Sequence, residues 1–119
     1  MSGLHPQIKN VLLRGLDDWV HITEVVDLAT QAARSNAAST NEQTIRDFIC
    51  TLLGNQYSQV GTLVERTTSE LVFEPYTGST NELIERVMRY LETVAFRPQL
   101  DGDWWLCNTA KGDAAAKAD

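Results

Sequence analysis

The tetrapeptide STNE stands at residues 39–42 and again at 79–82, and no other feature restricts the fold as much. A Ser or Thr hydroxyl followed three residues later by Glu or Gln can satisfy, reciprocally, amide groups that a helix leaves open at its start. Ser39 or Thr40 with Glu42 or Gln43, and Ser79 with Glu82, therefore announce two helices. The residues downstream exclude a repeat. Ile45, Phe48, Ile49, Leu52 and Leu53 follow the first copy, whereas Leu83, Ile84, Val87, Met88 and Leu91 follow the second in a different register. Both sets have helical spacing, which predicts helices over about 41–56 and 81–94.

Between them lies GTLVERTTSELVFEPY, in which 63–66 and 70–74 are strand-like runs joined by the polar 67–69. This spacing predicts a hairpin, closed off by Pro75 and Gly78. Upstream, Pro6 suits the first position of a helix over 6–14 that Gly15 ends. Trp19, Val20 and Ile22 favour a minimal strand over 19–22. Thr23 is expected to cap a second helix whose face carries Val25, Leu28, Ala29 and Ala32, interrupted by the small polar run 35–39. Residues 110–119, AKGDAAAKAD, carry no large apolar group and are expected to fray as a flexible tail. With 119 residues and 43% hydrophobic content the chain is expected to form one domain over 1–109, α+β and mostly α.

The order helix, short strand, helix, helix, hairpin, helix resembles a winged helix over residues 8–94, with a three-helix core, 41–56 in the recognition-helix position and the hairpin as the wing. A fourth helix and a C-terminal extended segment follow. The phrases WVHITEVVDLA, TIRDFICTLL and WLCNTAKGD are also similar to a group of small uncharacterised proteins from high-GC Gram-positive bacteria. The winged-helix resemblance implies DNA contacts from Gln43, Arg46 and Arg66. Charge speaks against them. Ten Lys and Arg face sixteen Asp and Glu, a formal charge of -6, and neutralising phosphates supplies most sequence-independent DNA affinity. The third helix sets Arg46 against Glu42 and Asp47, and the hairpin sets Arg66 against Glu65, Glu70 and Glu74. Arg46 is expected to pair with Glu42 at i, i+4. A dimeric DNA-binding regulator is the alternative to a module that binds a protein or a second copy of itself.

Chemistry-bearing motifs are scarce. His5 and His21 have no second ligand at metal spacing, and DGD at 101–103 lacks the acidic ladder and closing Glu of a calcium loop, so a turn is expected there. Cys50 and Cys107 have no basic neighbour in sequence and are expected as buried, reduced thiols. No phosphate loop, nucleophile elbow or HExxH is present. The sequence implies neither catalysis nor a cofactor. It shows no apolar leader and no run of eighteen apolar residues, and a cytoplasmic location without a membrane partner is expected. The stretch DGDWWLCNT is expected to fold back across the core. Alternation puts Trp105 and Cys107 on one side and Trp104 and Leu106 on the other, with Trp104 and Leu106 as the candidate interface and Trp105 as the core residue.

Overall fold

The computed structural model describes residues 4–35, 40–66 and 70–118. Among these residues, five helices and the four strands of one antiparallel sheet follow in the order α1 (Pro6–Arg14), β1 (Val20–His21), α2 (Ile22–Arg34), α3 (Asn41–Gly54), β2 (Ser58–Arg66), β3 (Glu70–Pro75), α4 (Thr80–Thr93), β4 (Trp105–Asn108) and α5 (Ala110–Lys117). The fold is α+β.

Local chemistry sets the helix starts. Thr40 caps α3 by accepting from the Gln43 amide, and Ser79 caps α4 in a box with Glu82. Pro6 opens α1, where the His5 ring accepts from the Gln7 amide. At α2 the expectation is corrected by two residues. The cap is His21, not Thr23: its Nδ1 accepts from the Thr23 amide at 3.2 Å, while the Glu24 carboxylate accepts from the His21 amide. A neutral imidazole thus does the work usually given to a hydroxyl. The expected break at 35–39 lies, apart from Ser35, outside the described residues, as does the hairpin turn at 67–69.

The core lies where α1 to α4 meet one face of the sheet. Leu12, Ile22, Val25, Ile45, Ile49, Leu52 and Leu91 are fully buried there, with Phe48 only 2% exposed. The strand order is β1-β4-β2-β3. The C-terminal strand is therefore interior to the sheet, pairing with β1 on one side and β2 on the other. Strand β2 is longer than expected because its first half, Ser58 to Gly61, pairs with β4. That half is polar and small-residue rich, so tertiary pairing and not strand propensity determines it.

The tail expectation is also corrected. Residues 110–117 form α5, capped by the Thr109 hydroxyl, and Ala116 is 3% exposed against the core. The helix packs on α1 through small residues. A methyl group added at Gly112 would collide with the Tyr57 carbonyl, and one at Gly15 with the Asn108 side chain. At Gly112 of α5 there is no room for a larger side chain.

Candidate functional site

The stretch Asp101–Trp105 carries the densest polar and aromatic network, so its geometry bears first on what the protein can do. After α4 the chain reverses through two left-handed residues, Ala95 and Phe96, with the Phe96 amide donating to Leu91 O at 2.7 Å. It then makes a tight turn in which the Asp103 amide donates to Asp101 Oδ1 at 2.9 Å. The β2–β3 hairpin grips this turn. Gly102 O accepts from the Leu63 amide at 2.9 Å and from the Thr62 hydroxyl at 2.7 Å. Asp103 Oδ1 accepts from the Tyr76 hydroxyl at 3.2 Å, and that same oxygen of Tyr76 accepts from the Trp104 amide.

From the other side the turn is held by His21, which is 1% exposed. Its Nδ1 is occupied as an acceptor, which places the ring proton on Nε2, 2.9 Å from Asp103 O. Trp105 meets the imidazole edge-on with centroids 4.9 Å apart, and its indole N–H donates to Asp101 O at 2.7 Å. Both ring nitrogens of His21 are committed. The histidine is thus a fastening between the start of α2 and the turn before β4.

Register decides which face of β4 is core. Leu106 lies between Val20 of β1 and Val60 of β2, and these three buried side chains form one row on the inner face. The next row, His21, Trp105 and Gly61, belongs to the opposite face. The expected assignment is therefore reversed. Leu106 is the core residue, Trp105 shields His21 from outside, and Leu106 is unavailable as an interface. Trp104, with φ 65°, is half-buried: it stacks on Tyr90 at 4.8 Å and meets Tyr76 edge-on at 5.3 Å. Arg86 lies over the Tyr76 ring, 4.7 Å from its centroid. Trp104, the other expected interface residue, is thus partly covered by side chains of its own chain.

Burial pushes the Tyr76 hydroxyl above its usual range, with the Asp103 carboxylate adding to the effect. Burial likewise raises the Cys107 thiol, and Asp113 raises it further; Cys107 is only half-buried and Cys50 is exposed, which corrects the expectation that both are buried. Among the described residues, no group of three or more His, Cys, Asp and Glu could hold a metal ion. The network ties the start of α2, the β2–β3 hairpin and the turn before β4 together.

The residues expected to contact DNA lie elsewhere. Gln43 and Arg46 line a shallow cleft between the first half of α3 and the second half of α4, in company with Glu42, Asp47 and Glu92. Arg46 makes no ion pair with Glu42, correcting the expected i, i+4 contact, yet three carboxylates line the same cleft. Arg66 is bound to Glu74 at 2.6 Å. Sequence reasoning missed Thr62, Tyr76 and Tyr90, whose partners are distant in the chain, and it missed His21, whose capping box with Glu24 is the local signal that could have found it. Comparison with protein-family models, with curated proteins and with solved structures produced no match in any of the three.

Proposed function

We propose that the protein is a non-catalytic, winged-helix-like interaction module whose partner is another protein or a second copy of itself. The observation that carries this reading is the β2–β3 hairpin. Across its two strands Leu63 faces Phe73, Val64 faces Val72, and Glu65 faces Leu71, yet none of these five apolar residues is buried and Leu71 is 52% exposed. Full burial of one such side chain contributes about 1.5 to 3 kcal/mol. In the isolated chain much of that free energy is unrealised, and a docked surface would realise it. Strand β3 is also the edge of the sheet, where a partner can add backbone hydrogen bonds.

The order of helices and hairpin favours a second reading, a dimeric DNA-binding regulator using Gln43, Arg46 and Arg66. The carboxylates around Arg46 and the Glu74 ion pair of Arg66 weigh against it. Fluorescence anisotropy with a random-sequence duplex at near-physiological salt separates the two, and no binding at micromolar or tighter affinity is expected. Salt-sensitive micromolar binding would promote the regulator. Sedimentation velocity of the wild type against Leu71→Asp then reports whether the hairpin joins copies of the chain.

A further inference from the structure

We propose that the cleft between the end of α3, the start of β2 and the first turn of α4 binds a small uncharged molecule with an apolar body and a carboxamide-like polar end. The cleft has a volume of about 360 Å³, and every residue lining it is uncharged. Leu53, Val60 and Leu83 provide its apolar wall. The polar groups divide sharply into committed and uncommitted ones. The Thr109 hydroxyl donates to Gln56 O at 2.6 Å and the Tyr76 hydroxyl is engaged by Asp103. By contrast, the Gln56 and Gln59 carboxamides and the Thr80 hydroxyl have no hydrogen-bond partner among the described residues.

Ser58 makes the strongest case. It is 4% exposed, lines the cleft, and its Oγ is the one buried side-chain polar atom without a hydrogen-bond partner among the described residues. Two residues along β2 from Val60, it faces the same side of the sheet as that apolar wall residue. A buried hydroxyl without a partner costs stability that an alanine in its place would not. A ligand carrying both a donor and an acceptor into the cleft supplies the missing partner and engages the two carboxamides. An ionised ligand would surrender hydration with no opposite charge on the lining to replace it. That asymmetry defines the ligand class.

The inference is independent of the hairpin reading, since it uses the base of β2 and not the apolar strand pairs beyond Gly61. Amide chemical-shift titrations with benzamide, benzoate and benzamidinium test it, the three probes sharing one ring and differing in charge. Benzamide is expected to shift amides at 56–60 and 80–83 saturably, and the two ions to bind at least about tenfold more weakly. Ser58→Ala should weaken benzamide by about tenfold while its unfolding midpoint holds or rises. Gln59→Leu, at an exposed position, should also weaken benzamide and serves if Ser58→Ala does not fold. Equal response to all three probes, no localised shifts, or benzamide binding unaltered by both substitutions would overturn the proposal and leave the hydroxyl to a structural water.

Discussion

His21 holds together two stretches of chain 82 residues apart, with one ring nitrogen capping α2 and the other reaching Asp103 O. Replacement by Ala removes an N-cap, which contributes about 0.5 to 2 kcal/mol. It also leaves the Asp103 carbonyl without its buried donor, a further cost of about 1 to 3 kcal/mol. Urea unfolding of His21→Ala should accordingly show a loss of about 2 to 4 kcal/mol. His21→Asn keeps a capping acceptor but is too short to reach the turn, and should lose about half as much. An Asn variant with wild-type stability would show that the contact to Asp103 contributes nothing. The contact to Asp103 was not legible in the sequence, because its two ends lie 82 residues apart, whereas the cap left a local trace, Glu24 standing three residues after His21. The tryptophans were half legible: alternation correctly separated Trp105 from Leu106, but only the register against Val20 and Val60 reveals which side is core.

At the level of elements, legibility follows whether the information is local. Helices α1, α3 and α4 were readable because caps and apolar stripes lie within a few residues of one another, and Thr40 and Ser79 cap as their neighbours imply. The hairpin was readable from its two strand-like runs and the polar run between them. Strand β4 was foreseen only as an extended segment, and α5 not at all, because its burial depends on small side chains. Gly112 supplies a sharp test of that account. Within a helix, Gly→Ala ordinarily stabilises by about 1 kcal/mol. Here the added methyl would strike the Tyr57 carbonyl, a backbone atom that cannot swing aside. Gly112→Ala is therefore expected to lower the thermal midpoint, whereas Ala114→Gly, at an exposed position of the same helix, should lower it only by the propensity difference. A raised midpoint for Gly112→Ala would mean that α5 does not dock on the segment between α3 and β2.

For the molecule as a whole, the decisive feature is that the last strand lies inside the sheet. Among the described residues, strand β1 pairs only with β4, and the β2–β3 hairpin reaches β1 only through it. A chain ending at Pro98 keeps all four leading helices and the hairpin but loses Leu106 from the core row, the Asp103 contact of His21, and every strand partner of β1. The apolar loss from Leu106 alone is that of a large-to-small core change, about 2 to 5 kcal/mol. The orphaned backbone groups of β1 and the buried imidazole add to it. Since domains of this size are stable by only about 5 to 15 kcal/mol, truncation after Pro98 is expected to abolish the cooperative unfolding transition, as read by circular dichroism in urea. Truncation after Ala110 removes only α5 and should leave a cooperative but weakened transition. The contrast separates fastening from docking strip: a Pro98 truncation that kept its midpoint while losing association with itself or a partner would assign the two tryptophans to an interface. Loss of the transition itself would show that the tryptophan-rich segment closes the chain's own sheet.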